Sequence, residues 1–191
     1  MSTYADKIRR GCPDAPIQHK EPGLRPRPVV FLDRDGVVNA DKGYVHEIDA
    51  FEWMPGSIEA MRFLNQRGYL VVVVTNQSGI GRGFYQEEEF MFLTLWMLEF
   101  VDKAGVNIDA VYYCPHHPES PDPEYLGTCP ARKPGTGMLD MAAKEFELDL
   151  SRSFLIGNRE SDLGAARGFG IPGYHYESGD LAEFVREIVE G

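Results

Sequence analysis

The chain has 191 residues, 43% of them hydrophobic and 12% aromatic, which is enough apolar material for one globular domain with a substantial core. Its formal net charge of -11 excludes a nucleic acid or an anionic membrane as the main partner, because such surfaces are met by basic patches. The longest apolar stretches, residues 69–74 and 90–101, are too short or too interrupted to span a bilayer. Cys12, Cys114 and Cys129 form a small, odd set, and the amino terminus lacks the apolar core of a secretion signal. Both features predict a protein of the reducing cytoplasm.

Residues 1–28 carry five prolines among scattered charges and no sustained periodicity, which predicts an N-terminal arm with at most a helical turn over 3–10. Val29, Val30, Phe31 and Leu32 follow as an apolar run bounded by Pro28, the mark of a buried strand. Strand-like and helix-like stretches then alternate. Helices are predicted over 57–67, 87–104, 137–147, 161–167 and 180–190, and strands over 69–74, 108–113, 153–156 and 173–176. Phe90, Leu93, Met97, Phe100 and Val101 fall on one helical stripe, read as core. The order predicts an α/β domain over residues 29–191, a parallel sheet with helices on both faces. Two connections, 36–55 and 114–135, are longer than such folds usually need, and both leave the carboxyl ends of strands.

Those ends carry the chemistry. Asp33 and Asp35 close the first apolar run, and residues two apart in an extended segment point the same way. Two carboxylates facing one cleft need a cation or a hydrogen-bond network, and Mg2+ satisfies them together with a substrate phosphate. One carboxylate can then attack phosphorus while the other moves a proton. Asp-x-Asp-Gly also opens calcium loops and solvated turns, so this pair alone leaves those readings open. The second strand ends in Thr75, Asn76, Gln77 and Ser78 before Gly79, Gly81, Arg82 and Gly83, a hydroxyl, two amides and glycine-permitted N–H groups suited to phosphate oxygens. Arg132 and Lys133 are adjacent cations in an acidic chain, placed to neutralise a phosphoryl group. Asn158, Arg159, Ser161 and Asp162 form a polar cluster after the fourth strand.

Taken together, these strand ends resemble the haloacid dehalogenase superfamily of phosphohydrolases, whose four motifs occur here in order at Asp33 to Gly36, Thr75, Lys133, and Asn158 to Asp162. Within it, the stretch from Thr75 to Gly83, the run Cys114, Pro115, His116, His117 and Pro118, and Arg132-Lys133-Pro134 are similar to the heptose-1,7-bisphosphate 7-phosphatases and related histidinol-phosphatases. Asp41 to His46 favours the heptose branch. The resemblance implies a Rossmann-like fold without a large cap domain, Asp33 as nucleophile, Asp35 as general acid then base, and Thr75 and Lys133 as stabilisers of the transferring phosphoryl group. It implies Mg2+ held by Asp33, the Asp35 main-chain carbonyl and Asn158, with Asp162 supporting. Arg34, Asp41, Lys42, Gly43, Tyr44, Asn76, Gln77, Ser78, Arg82, Arg132 and Arg159 would bind the sugar phosphate, and the protein would act as a monomer on a small phosphorylated sugar.

Two positions depart from that pattern. Asn158 stands where the family has Asp, which removes one negative charge from the metal shell. Ala131 stands where the family's zinc loop has its fourth ligand, so Cys114, His116 and Cys129 make an incomplete zinc set that His117, an acid from Asp122 or Glu124, or water would have to finish. The leading expectation is a Mg2+-dependent phosphomonoesterase working through an aspartyl-phosphate. The alternatives are a histidinol-phosphate or other small phosphomonoester phosphatase, and a weakly active sugar-phosphate binding protein.

Overall fold

The computed structural model describes residues 4–11 and 25–191. Six parallel strands form one sheet: β1 (Ile8–Arg10), β2 (Val29–Leu32), β3 (Leu70–Asn76), β4 (Ala110–Cys114), β5 (Phe154–Gly157) and β6 (Gly173–His175), in the spatial order β1-β4-β3-β2-β5-β6. The helices are α1 (Ser57–Gln66), α2 (Ser78–Gly81), α3 (Glu87–Lys103), α4 (Gly137–Glu145), α5 (Glu160–Phe169) and α6 (Leu181–Glu190).

The central strands are apolar throughout because both of their faces are covered. Val30 and Leu32 of β2, with Val71 and Val73 of β3, join the core that holds Met61, Leu64, Phe90, Leu93 and Val185. Val29 and Phe31, with Val72 and Val74, turn the other way into a core shared with Met138, Leu139, Ala142 and Ala165. This alternation is the period-two geometry of a strand serving two helix layers. Starting from β2, the chain winds outward through β3 to β4, then returns to β5 on the other side. Strand order therefore reverses beside β2, and the crevice at the carboxyl ends of β2, β3 and β5 is where such a sheet accepts a ligand.

Three features differ from the sequence expectation. Where a helical turn was expected over 3–10, a 3-10 turn (Tyr4–Lys7) leads into β1, which pairs with β4 at the sheet edge in the register Ile8 to Val111 and Arg10 to Tyr113. Arg10 fixes this edge by pairing with Glu87 of α3 and with Glu124. The part of the expected arm at residues 12–24 lies outside the described residues. Phe100 is not core: it is 41% exposed and stacks on Trp53 at 5.2 Å. The glycine-rich stretch after β3 contains the short α2. No insertion among the described residues forms a large cap, and no described helix is long and apolar enough to cross a membrane.

Candidate active site

The carboxyl ends of β2, β3 and β5 and the loop before α4 converge on a cleft of about 310 Å³. Asp33 follows β2 directly, anchored by its N–H to the Ile156 carbonyl at 3.0 Å. Lys133 Nζ donates to Asp33 Oδ1 at 2.8 Å, to the Val74 carbonyl at 2.8 Å, and pairs with Asp162 Oδ1 at 2.6 Å. Lys133 and Asp162 are both sealed from solvent. Asn76 holds the lysine in place by accepting from its main-chain N–H at 3.0 Å and donating to its carbonyl at 3.1 Å.

This burial sets the charges. Loss of solvent pushes the Asp33 carboxyl up to about 6, with the neighbouring Asp162 and Asp35 adding to the rise and the Lys133 ammonium opposing it. Burial disfavours the Lys133 ammonium, but the two carboxylates outweigh it and raise its pKa. At neutral pH the site therefore holds the Asp33 carboxylate against a fixed cation.

Asp35 is clamped by three donors: Arg34 Nη2 at 2.8 Å, Asn39 Nδ2 at 3.0 Å and Gln77 Nε2 at 3.1 Å. Gln77 Nε2 also donates to Thr75 Oγ1 at 2.8 Å, and the Tyr85 hydroxyl donates to Gln77 Oε1. The tyrosine thereby fixes which way the amide faces. Gly79 of the expected phosphate cradle and Ser161 of the expected polar cluster line the cleft, and so does Tyr85, whose ring stacks on His46 and which was not expected from the sequence. An aromatic within a glycine-rich stretch carries no pattern that marks it as functional.

Most expected residues line the cleft: Asp33, Asp35, Asp41, Gly43, Tyr44, Thr75, Asn76, Gln77, Ser78, Arg132, Lys133, Arg159 and Asp162. Others do not. Arg34 is 1% exposed and turns inward, donating to Asp35 and to the Val45 carbonyl, so it positions a carboxylate and does not meet the ligand. Lys42 pairs with Glu52. Arg82 stays outside the lining and donates to the Tyr44 hydroxyl at 2.7 Å. At the mouth, Arg159 reaches Asp41 at 2.7 Å; burial alone would raise the aspartate, but this partner and the Gly43 N–H hold its pKa below the ordinary value.

The residues around Asn158 fit a hard cation such as Mg2+. Asn158 stays outside the cleft lining, and among the described residues its buried Oδ1 has no hydrogen-bond partner, an orphaned oxygen donor against Gly36, the residue after Asp35. Its amide is pressed against Gly36, where a Cβ would come within 1.9 Å of Nδ2 and where φ is +92°. Asp162, expected to support that shell, is committed elsewhere: Oδ1 to Lys133 and Oδ2 to the Arg159 N–H that starts α5. In the second cluster, the ligand atoms of Cys114, His116 and Cys129 all lie within 4.8 Å of one another, a donor set that fits zinc. The expected completing groups are engaged otherwise: His117 Nδ1 accepts from Glu119 N–H, Asp122 from Glu124 N–H, and Glu124 pairs with Arg10.

A family model described as HAD-hydrolase-like matches residues 130–183. The chain is 51% identical over 139 residues, 73% of its length and 74% of the relative's, to D-glycero-beta-D-manno-heptose-1,7-bisphosphate 7-phosphatase of Photorhabdus laumondii. It is 44% identical over 163 residues, 85% of its length and 91% of the relative's, to the protein of the same name in Rhodopseudomonas palustris. The fold is similar to that of the D,D-heptose 1,7-bisphosphate phosphatase from B. bronchiseptica complexed with magnesium and phosphate, with a TM-score of 0.75, 29% identity, and coverage of 85% of this chain and 98% of that one.

Proposed function

The chain belongs to the HAD-like family of D-glycero-beta-D-manno-heptose-1,7-bisphosphate 7-phosphatases, and we propose on that premise that it removes the 7-phosphate of a heptose bisphosphate through an aspartyl-phosphate. It is a phosphomonoester hydrolase. The observation that carries the reading is the convergence of Asp33, Asp35, Thr75 and Lys133 on one cleft. Residues 29–191 are the catalytic domain in this proposal, with residues 1–28 as an appendage.

Asp33 attacks phosphorus, forming the carboxylate–phosphorus bond as the bond to the sugar oxygen breaks. Asp35, at hydrogen-bonding reach of Arg34, Asn39 and Gln77, delivers the proton to that leaving oxygen. A water then attacks the phosphoryl group, gives its proton to Asp35, and Asp33 is regenerated. Lys133 and Thr75 offset charge on the phosphoryl oxygens throughout. Asp33, the Asp35 carbonyl and Asn158 Oδ1 would hold Mg2+, which would supply further charge neutralisation. Arg132 and Arg159, both in the cleft lining, provide cations for a second phosphate, which suits a bisphosphate better than a monophosphate.

We further propose zinc in the Cys114, His116 and Cys129 cluster, a monomeric state and a cytoplasmic location, the last supported by the small cysteine set. Phosphate release from heptose 1,7-bisphosphate, the corresponding 1-phosphate and histidinol phosphate, with Asp33→Asn as the blank, tests the reading. Preference for the bisphosphate is expected, and equal or faster release from histidinol phosphate would overturn it.

A further inference from the structure

The long connection after β2 turns at the cleft mouth through two successive residues in the left-handed region, Gly43 at φ +75° and Tyr44 at φ +51°. Glycine adopts this conformation freely. A tyrosine does so at a cost, and among the described residues Tyr44 is the one non-glycine with a positive φ. Backbone strain of this kind persists where the surroundings hold the residue from several sides.

Tyr44 is held in that way. Its carbonyl accepts from His46 Nδ1 at 2.7 Å, and its ring lies on Gly79, where a Cβ would come within 3.0 Å of the Tyr44 Cδ1. Phe84 meets the ring edge-on, with the centroids 4.6 Å apart and the planes at 70°. Arg82 Nη1 donates to the Tyr44 hydroxyl at 2.7 Å, and the same guanidinium sits over the Phe84 ring, 5.6 Å from its centroid. Phe84 is 55% exposed, so its contribution lies in these two contacts and not in the core. Tyr44 lines the cleft, whereas Arg82 and Phe84 stand behind it, outside the lining.

An aromatic ring at the mouth can pack on the C–H face of a sugar. The Tyr44 hydroxyl accepts from Arg82 through its oxygen, which leaves its own proton to donate to a sugar hydroxyl. We propose that Arg82 and Phe84 are positioning residues that hold Tyr44 as one wall of the sugar site, so that Arg82 serves the substrate without touching either phosphate. The proposal rests on the sugar-phosphate hydrolase reading of the cleft for the identity of the ligand, while the holding of Tyr44 is a property of the resting protein.

The test compares the parent with Arg82→Met, Tyr44→Phe, Phe84→Ala and the double variant Arg82→Met/Tyr44→Phe. In the resting protein, amide hydrogen exchange over residues 41–46 should quicken by about tenfold in Arg82→Met and in Phe84→Ala, with β2 and β3 unchanged as the control for folding. With heptose 1,7-bisphosphate, Arg82→Met and Tyr44→Phe should each raise KM by about fivefold, the loss of one hydrogen bond, with the effect falling on KM and not on kcat. The double variant should be no worse than the poorer single one, because both substitutions break the same contact. Inhibition by inorganic phosphate should be the same in Arg82→Met as in the parent. Multiplying KM effects, or weaker phosphate inhibition in Arg82→Met, would make Arg82 a direct phosphate ligand and overturn the proposal. Unchanged exchange over 41–46 would overturn it as well. That readout needs no turnover, so it stays distinct from a failure of the hydrolase reading, which would show as a parent that releases no phosphate.

Discussion

Lys133 and Asp162 meet at 2.6 Å with their side chains 2% and 1% exposed, and the same ammonium reaches Asp33. Removing one member of a buried pair leaves the other charge uncompensated, at a cost of about 3–5 kcal/mol. Lys133→Met should therefore lower stability by that order in urea denaturation. It should also cut turnover by roughly 10²–10³, the usual loss on deleting an electrostatic stabiliser. Adding Asp162→Asn should recover part of the stability and none of the turnover.

The raised pKa of Asp33 has a sign that can be checked. A carboxyl that rises from 3.8 to about 6 on folding binds more protons in the folded chain than in the unfolded one, so ionising it opposes the fold. Without divalent metal, this group should make stability fall as pH climbs through that window. Asp33→Asn should flatten the fall and be more stable than its parent at pH 7. Parallel stability curves for the two proteins would contradict the assignment.

Asn158 presents an unpartnered oxygen where a carboxylate would add one charge. Asn158→Asp should lower the Mg2+ concentration that gives half-maximal phosphate release by about tenfold, since ligand charge tunes such affinities. Gly36→Ala should act in the opposite direction, because its Cβ would displace the Asn158 amide and its φ of +92° strains any other residue. An unchanged Mg2+ requirement in both variants would remove Asn158 from the shell.

Tyr85 acts on Asp35 through Gln77. Tyr85→Phe leaves the Gln77 oxygen without its donor and frees the amide to present that oxygen to the Asp35 carboxylate. The expected result is a fall in kcat of about tenfold with KM unchanged, because the proton-transferring group and not the binding surface is disturbed. A rise in KM at constant kcat would instead make Tyr85 a substrate contact.

The sequence was most legible where one physical cause acts alone. Buried parallel strands must be apolar on both faces, so β2, β3 and β5 stand out as unbroken runs ending at Asp33, Thr75 and Asn158. β1 was not legible because its three residues, Ile8, Arg9 and Arg10, include two arginines whose place is set by distant Glu145 and Glu87. The inward turn of Arg34 was hidden for a related reason. A charged residue between two aspartates suggests an exposed ligand contact, and only tertiary packing shows that it is buried against Asp35 and Val45. Of the two commitments of Asp162, the one to the Arg159 N–H is a local capping contact, whereas the pair with Lys133 depends on the meeting of α5 with the loop before α4, a long-range relation that no local spacing encodes.

The short β1 also has a practical consequence for anyone shortening this protein. Removing residues 1–28 touches no motif, since every motif lies beyond them. Yet β1 is what covers β4, and its loss would leave the Val111 to Tyr113 backbone as an open border. Unpaired borders of that kind recruit strands from other molecules. A trimmed version should thus precipitate or self-associate before it shows any chemical defect, and poor yields from it would say nothing about the reaction.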